Sequence, residues 1–181
     1  MAKRVPSESL AEAYQRLMDS GLRLHQQRSE TALHDGLIRE TTEISGARRV
    51  LLVLQGSTGR QIAGASLPAG EEASALLRAI TPWLDEADAN RVSCLRHGPE
   101  GAATEDQRSC LVAPLTARGE LLGHLYADIE GAFGRFGDID RDLLSRLAGQ
   151  AAVALANLRH AGGLEARVAT RTADLRDALE R

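Results

Sequence analysis

Hydrophobic positions recur along this chain with a helical period at both ends and a strand period between them. Near the start, Leu10, Leu17 and Leu24 are seven residues apart among polar neighbours. This spacing predicts a helix whose apolar stripe is narrow enough for one partner helix. A second helix is predicted over Glu30–Ile44, and Gly46 is expected to end it in the left-handed conformation.

Apolar runs separated by turn residues predict five strands in the middle of the chain. The predicted strands are Arg48–Leu54, Gln61–Leu67, Val92–His97, Ser109–Leu115 and Leu121–Ile129. The first two form an antiparallel hairpin across a short turn. A helix over Glu71–Ala87 interrupts the series, and Pro82 is expected to kink or divide it near Ile80.

A long final helix is predicted from Asp138, which is expected to be its N-cap because an aspartate there can accept the first free backbone N–H groups. One side of this helix is apolar as far as Leu158, and the pattern loosens at Gly162-Gly163. It then resumes with a spacing typical of a coiled coil, at Leu164, Val168, Leu175 and Leu179. This spacing fits an eleven-residue rhythm as well as a seven-residue one.

The order helix, helix, two strands, helix, three strands, long helix predicts an α+β fold with an antiparallel sheet. We expect the N- and C-terminal helices to cover one face of the sheet, and the middle helix with the loops to cover the other. On the last strand, alternation turns a mixed polar set toward the middle helix: Leu122, His124, Tyr126 and Asp128. It turns an apolar set toward the terminal helices: Leu121, Gly123, Leu125, Ala127 and Ile129.

Composition excludes several classes of function. Of the 181 residues 26% are charged, the net charge is −3, and no basic run extends beyond Lys3-Arg4, so no nucleic-acid-binding surface is expected. Aromatic residues make up 3%, too few to stack on single-stranded bases. No apolar stretch is long enough to span a membrane and no signal peptide is evident. The two cysteines form no metal-binding or CxxC pattern, which is typical of a cytoplasmic protein.

Two stretches in the second half of the chain carry a family resemblance. The first is Leu111-x-x-Pro114-Leu115-x-x-x-Gly119-x-Leu121-x-Gly123-x-Leu125-Tyr126-x-Asp128. The second comprises Phe136, Asp140, Leu143-Leu144, Leu147-Ala148, Gln150-Ala151-Ala152, Ala154-Leu155 and Asn157. Together they resemble the late strands and the terminal helix of GAF domains. The tail resembles the signalling helix that follows such domains in bacterial histidine kinases and nucleotide cyclases, at Leu164-Glu165-x-Arg167-Val168-x-x-Arg171-Thr172-x-x-Leu175.

The resemblance implies a regulatory sensor module of a signal-transduction protein rather than an enzyme. It implies a pocket for a small molecule or cofactor of unknown identity on the sheet face away from the terminal helices. It further implies a parallel homodimer through those helices and a covalently linked output domain, a histidine kinase or a cyclase. The expected organisation is an N-terminal dimerisation helix over residues 1–28, a sensory domain over 29–160 and the start of a coiled-coil signalling helix over 161–181.

The chain departs from the signatures of two known GAF ligands. GAF domains that bind cyclic nucleotides often carry an Asn-Lys pair and the pattern F-x-x-x-D-E. Here Phe136 and Asp140 fit, but Arg141 replaces the glutamate and the sequence has no Asn-Lys pair. Bilin-binding members need an attachment cysteine in a recognisable motif, and neither Cys94 nor Cys110 lies in one.

Seven residues are candidates for ligand contact: Trp83, Cys94, Arg96, His97, His124, Tyr126 and Asp128. Haem-binding GAF domains use an axial histidine, which leaves His97 and His124 as candidates for that role. Each candidate also has a structural alternative. A buried histidine can bond to a neighbouring strand, and Trp83 can fill the core rather than line a pocket.

Two further functions remain as alternatives. Cys94 and Cys110 fall on neighbouring predicted strands and would form a redox pair if their Cβ atoms came within about 4 Å. GAF proteins that reduce free methionine sulfoxide use cysteines in the pocket, so the chain could be a thiol-dependent reductase of that type. In the other alternative the domain binds no ligand, its pocket is filled by its own side chains, and it serves dimerisation and relay only.

Overall fold

The structure is a computed structural model that describes residues 10–179, without the side chains of residues 10, 165–166, 169 and 173–179. Four helices are described: α1 (Leu10–His25), α2 (Glu30–Ser45), α3 (Ala73–Asn90) and α4 (Asp138–Leu179). Five strands are described: β1 (Arg49–Gly56), β2 (Gly59–Ser66), β3 (Cys94–Gly98), β4 (Arg108–Ala117) and β5 (Glu120–Glu130). The order of these elements is the one predicted. Pro6 and Ser7, which precede the first helical pattern in the sequence, lie outside the described residues.

The five strands form one antiparallel sheet in the order β2-β1-β5-β4-β3. The hairpin of β1 and β2 was expected from the sequence, whereas the pairing of β1 with β5 joins segments about 75 residues apart. This pairing places β5 and its polar side chains at the centre of the sheet. The α+β fold with an antiparallel sheet is therefore confirmed.

Helices α2 and α4 pack on one face of the sheet, and α1 packs against these two helices on the same side, as predicted. Their apolar stripes meet alternate residues of β1, β4 and β5 in one core cluster. It includes Leu17, Leu24, Leu37, Leu52, Leu111, Leu125, Leu147 and Leu155. The small residues Ala148, Ala151 and Ala152 of α4 are buried in this cluster, so the long helix can lie close to the sheet.

Helix α3 covers the opposite face. Its buried side chains are Leu76, Ile80, Leu84 and Ala87, three or four positions apart as one helix face requires. They pack on the alternate residues of the strands, in a second cluster with Leu51, Val53, Cys110, Val112 and Tyr126. Helix α3 runs without interruption through Pro82, so the predicted division of this helix was wrong.

A bulge in β5 corrects the expected face of Leu122. The register between β4 and β5 shifts between Leu115 and Thr116, and Leu122 is left without a partner across the ladder. Leu122 is therefore buried in the cluster under the terminal helices, not on the α3 side. Beyond the bulge the alternation is as predicted, with Leu125 and Ala127 under the terminal helices and Tyr126 under α3.

The ends of the helices agree with the sequence signals except at α4. Gly46 ends α2 in the left-handed conformation, with φ at 66°. Helix α4 starts at Asp138, so Asp138 is the first helical residue and not the N-cap. The carboxylate of Asp140, in the first turn of α4, accepts a hydrogen bond of 2.7 Å from the N–H of Gly137. This bond is one of the two that make up a capping box.

Helix α4 is continuous from the sheet to Leu179, including Gly162-Gly163, where the sequence pattern loosens. Its first half belongs to the core, and its second half projects from the domain with Leu164 and Val168 exposed. None of the described helices is long and apolar enough to cross a membrane.

Candidate functional site

The layer between α3 and the sheet, here called the α3 interface, holds most of the residues singled out in the sequence. Its centre is apolar, from Leu51, Val53 and Val112 of the strands to Leu76, Ile80 and Leu84 of the helix. Polar groups lie at both of its ends: Asp128 lies at one end and His124 at the other. Four strand residues, or about 13 Å, separate these two side chains.

At the first end, Asp128 is fully buried between two arginines, forming what we call the Asp128 network. The Nε atom of Arg49 donates to both carboxylate oxygens, at 3.1 and 2.8 Å, and its Nη2 lies 2.7 Å from Oδ2. Arg108 donates from Nη1 to Oδ1 at 2.7 Å. The hydroxyl of Tyr126 donates to Oδ2 at 2.5 Å. The carboxylate is thus held by charge-assisted hydrogen bonds from three side chains.

The arginines of the Asp128 network are themselves linked to acids nearer the solvent. Arg49 donates from Nη1 to Glu71 at 3.0 Å, and Arg108 donates from Nη2 to Glu130 at 2.6 Å. Burial alone would lower the pKa of Arg49, but Asp128 raises it above the ordinary value, so the guanidinium stays charged. Burial raises the pKa of Tyr126, which keeps its phenol protonated as a hydrogen-bond donor.

At the second end, the imidazole of His124 is 1% exposed and faces the C-terminal half of α3. Its Nε2 lies 2.6 Å from Oδ1 of Asp88 without the alignment of a hydrogen bond, and Nδ1 has no hydrogen-bond partner among the described residues. Asp88 also accepts from Arg60 at 2.6 Å, and Arg60 donates to Asp85 at 2.7 Å. We call these four residues the His124 cluster.

The charge state of His124 is set mainly by its surroundings in this cluster. Burial lowers the pKa of the imidazole, and the nearby cation of Arg60 lowers it further. The carboxylate of Asp88 opposes both effects, yet the pKa remains below its ordinary value. His124 is therefore neutral at pH 7 and can accept or donate through a free ring nitrogen.

Both cysteines lie on the α3 side of the sheet, but they are not opposite each other. Cys94 pairs with Val112, while Cys110 pairs with Arg96. Residues diagonal by two positions lie about 7–8 Å apart, with a somewhat shorter Cβ–Cβ distance that still exceeds the roughly 4 Å of a disulfide. Cys110 is buried, which raises its thiol pKa, and its Sγ lies 3.4 Å from the Tyr126 hydroxyl. The register therefore argues against a direct redox pair.

Trp83 and Arg96 complete the set on this face. The half-buried indole of Trp83 stacks on the ring of Tyr126, with centroids 6.4 Å apart and planes inclined by 21°. Arg96 of β3 forms an ion pair with Glu86 of α3. Trp83 thus joins α3 to the centre of the sheet, and Arg96 joins the same helix to an edge strand.

His97 is separated from the other six candidates. Its Nδ1 lies 2.8 Å from the hydroxyl of Ser109, and the neighbouring Leu95 packs against the cluster under the terminal helices. Burial and the charge of Arg135 lower the pKa of His97. By strand alternation His97 shares the face of Leu95, so it does not line the α3 interface.

Sequence reasoning missed the residues that hold the polar side chains in place. Arg49 and Arg108 bind Asp128 from 79 and 20 positions away, and Asp88 reaches His124 from another element. One signal was available for the arginines: Arg49 alternates with Leu51 and Arg108 with Cys110, so both belong to the α3 side once the faces are assigned. No such local pattern in the sequence indicates that the C-terminal half of α3 lies over His124.

On the described part of the chain, two depressions open to solvent lie outside the α3 interface. One, of about 370 Å³, is a groove between α2 and β2 lined by Asp35, Ile38, Arg39, Thr42, Glu43, Ala65 and Ser66. The other, of about 500 Å³, lies along the exposed part of α4. Among the side chains that the structure describes, no group of three or more histidine, cysteine or acidic residues is arranged to hold a metal ion.

The sequence model of the GAF domain family matches residues 31–155. No curated protein is significantly similar to the chain. Among solved structures, the chain is similar to the GAF domain of a candidate sensor histidine kinase from Pseudomonas syringae pv. tomato. The two share 22% identity at a TM-score of 0.62, over 87% of this chain and 94% of the other.

Two further solved structures share the fold. Free methionine-R-sulfoxide reductase from Neisseria meningitidis, solved with its substrate, has 17% identity and a TM-score of 0.66, over 87% of this chain and 96% of its own. The GAF domain of a phosphoenolpyruvate-protein phosphotransferase from Coxiella burnetii has 15% identity and a TM-score of 0.61, over 86% and 99%. At these identities the likeness establishes the fold alone.

Proposed function

The chain belongs to the GAF domain family, and from this premise we propose that it is a regulatory sensor module of a cytoplasmic signalling protein. In this proposal a small molecule binds at the α3 interface, and the bound state passes through a dimeric helical stem to a covalently linked histidine kinase or cyclase. The stem comprises α1, which belongs to the N-terminal segment 1–28, and the tail 161–181. The observation that carries the proposal is the continuity of α4 from the sheet into this tail.

The exposed apolar residues of α1 and α4 support a parallel homodimer. Val153 and Leu164 of α4 are 45% and 46% exposed, and their eleven-residue separation returns to the same side of a helix after about three turns. Val168 follows one turn later and is also exposed. On α1, Met18 and Leu22 form a second exposed pair one turn apart. A second copy of the chain is the partner whose stem carries the same stripes.

Contacts within the domain couple the stem to the sheet. Glu40 of α2 is buried and accepts hydrogen bonds from Arg23 and Ser20 of α1, at 2.6 Å each. Glu30 at the start of α2 binds Arg159 of α4. These contacts join the three terminal helices. In this proposal a change in the sheet reaches the stem through α2 and α4, which pack on the strands.

The test of this proposal is the oligomeric state of the chain and its dependence on α4. Light scattering at tens of micromolar protein is expected to give a dimer for the wild type and a monomer for Leu164→Glu/Val168→Glu. The matched control is Ser57→Glu/Thr58→Glu, which adds the same two charges at exposed positions of the β1–β2 turn. A wild-type monomer, or a dimer unaffected by the α4 changes, would refute the stem proposal.

A second candidate function is supported by the packing of α3. Leu76, Ile80 and Leu84 fill the face on which a ligand is expected, which favours a domain that dimerises and relays without a ligand. Native mass spectrometry of the purified chain separates the two, because a copurified small molecule excludes the ligand-free function. A thiol-dependent reductase is the least supported alternative, since Cys94 and Cys110 are diagonal in the sheet.

A further inference from the structure

The attachments of α3 to the sheet differ between its two halves. Three acids in the C-terminal half form ion pairs with two strands, and one of these acids also contacts a third strand. Asp85 and Asp88 bind Arg60 of β2, Asp88 also lies against His124 of β5, and Glu86 binds Arg96 of β3. The C-terminal half is therefore fixed across the sheet from one edge strand to the other.

The N-terminal half of α3 has no comparable attachment. Residues 73–81 contact the sheet through apolar side chains, chiefly Leu76 and Ile80, and form no ion pair with the described residues. The one charged contact at this end comes from the preceding loop, where Glu71 accepts from Arg49 at 3.0 Å. Glu71 is 37% exposed and follows Gly70, whose φ of 87° marks a sharp change of chain direction.

The two halves meet at a weak turn of the helix. Pro82 has no N–H, so the carbonyl of Arg78 lacks its helical donor. The hydroxyl of Thr81 donates to the carbonyl of Leu77 at 2.8 Å, a bond of the kind that often bends helices. Both features lie between the apolar half and the ion-paired half, so bending at this turn would release the first without breaking the ion pairs of the second.

A ligand entering beneath the released half would meet two kinds of surface. One is apolar and aromatic, comprising Leu51, Val112 and the ring of Tyr126. The other is the outer edge of the Asp128 network, where Nη1 of Arg49 is bound by Glu71. If Glu71 moves away with the loop, Nη1 of Arg49 loses its acceptor. The position that the carboxylate of Glu71 leaves can then take the carboxylate of a ligand.

We infer that residues 71–81 form a lid hinged at Thr81-Pro82, and that the site beneath it binds small organic carboxylates with an apolar body. The carboxylate of the ligand replaces that of Glu71 on Arg49, so the charge at the site is conserved when the ligand exchanges with the lid. Glu71 thus acts as an internal competitor of the ligand. This inference rests on the proposed function, because it specifies the ligand and the regulation of the same interface.

The hinge is tested first by hydrogen exchange of the intact chain. Amides of residues 73–81 are expected to exchange about tenfold faster than those of residues 83–90. Opening of the first half breaks only the ion pair of Glu71 with Arg49, whereas opening of the second half breaks those of Asp85, Glu86 and Asp88. Pro82→Ala restores a helical N–H and is expected to slow exchange in residues 73–81 severalfold. Equal exchange in the two halves, or no effect of Pro82→Ala, would overturn the hinge.

The ligand class is tested by calorimetric titration with 4-phenylbutyrate and with its neutral amide, 4-phenylbutyramide. The wild type is expected to bind the acid about tenfold more tightly than the amide, since only the acid supplies a carboxylate to Arg49. Glu71→Gln weakens the competitor and is expected to tighten binding of the acid about fivefold. Glu72→Gln is the matched control, because Glu72 is exposed and its side chain makes no cap bond.

Three outcomes would overturn the assignment of the ligand. They are absence of binding by 4-phenylbutyrate up to about 1 mM, equal affinity for acid and amide, and equal affinity of Glu71→Gln and Glu72→Gln. Trp83, the single tryptophan, stacks on Tyr126 and reports binding independently through its fluorescence. Light scattering of the same samples tests the stem proposal separately, because the dimer does not require the lid. A dimer that does not bind 4-phenylbutyrate would therefore contradict the ligand assignment and not the stem.

Discussion

At the scale of single residues, Asp128 shows how a fully buried charge is tolerated in this sheet. An unpaired buried carboxylate would cost several kcal/mol, but Arg49, Arg108 and Tyr126 saturate its oxygens. Removing the charge leaves the two guanidinium groups facing each other without their common partner. Asp128 therefore stabilises the fold through the network that it organises.

We expect Asp128→Asn to lower the free energy of unfolding by about 3–5 kcal/mol, the usual cost of removing one partner of a buried ion pair. Glu130→Gln is the matched control, because Glu130 binds the same Arg108 from a position 45% exposed and is expected to cost about 0–1 kcal/mol. Urea unfolding of both variants measures the difference. Similar small losses in the two would show that the network does not stabilise the fold.

At the scale of the elements, α4 is the helix whose behaviour the sequence left open. Two adjacent glycines usually weaken a helix by about 1 kcal/mol each, yet α4 continues through Gly162-Gly163. These glycines lie beyond the part of α4 that packs on the sheet, with no described neighbour within 4 Å of an added Cβ. At these glycines the helix is therefore held by its backbone hydrogen bonds and, in the proposed dimer, by the contacts that the stem makes with a partner.

The stem is tested by two substitutions at one glycine. Gly163→Pro removes a helical hydrogen bond at a cost of about 3 kcal/mol or more, and we expect it to weaken the dimer strongly. Gly163→Ala favours the helix by up to about 1 kcal/mol and should strengthen the dimer. Analytical ultracentrifugation gives the dissociation constants, with thermal melting as a check that the domain is intact. Equal constants for the two variants would contradict transmission through a continuous α4.

At the scale of the whole molecule, both layers on the sheet contain buried titratable groups. The terminal-helix side has the buried Glu40, whose pKa is lowered by its hydrogen bond from Arg23. Three histidines have lowered pKa values, mainly because of burial: His34, His97 and His124. The histidines give the molecule a dependence on pH near neutrality, and Glu40 contributes only at more acidic pH.

Because the histidine pKa values are lower in the folded state than in the unfolded state, the unfolded chain binds more protons as the pH falls through about 6.5. We expect the melting temperature to fall between pH 7.5 and pH 5.5, by about 2–4 °C for each kcal/mol lost. His124→Gln should reduce this fall, since Asp88, Asp85 and Arg60 would then face a group that does not titrate. His25→Gln, at an exposed position of α1, is the control, and an equal fall in both variants would contradict the prediction.

The sequence predicted only part of the candidate site, and individual residues of β5 show why. Alternation along β5 placed His124, Tyr126 and Asp128 on one face, because successive side chains of a strand must point in opposite directions. The same rule failed for Leu122, since the bulge at this position shifts the register and strict alternation does not allow for the extra residue. Whether the seven candidates form a ligand site is still a prediction.

The sequence by itself determined the element order, the apolar faces of the helices and the family, since periodicity and the β5–α4 motifs are local properties of the chain. Only the tertiary structure decided that β5 lies between β1 and β4, that Arg49 and Arg108 bind Asp128, and that α3 fills the face opposite the stem. These features join segments far apart in sequence, and their geometry follows from how the whole chain packs. The arrangement of α3, with ion pairs in its C-terminal half and apolar contacts in its N-terminal half, was likewise decided only by the tertiary structure.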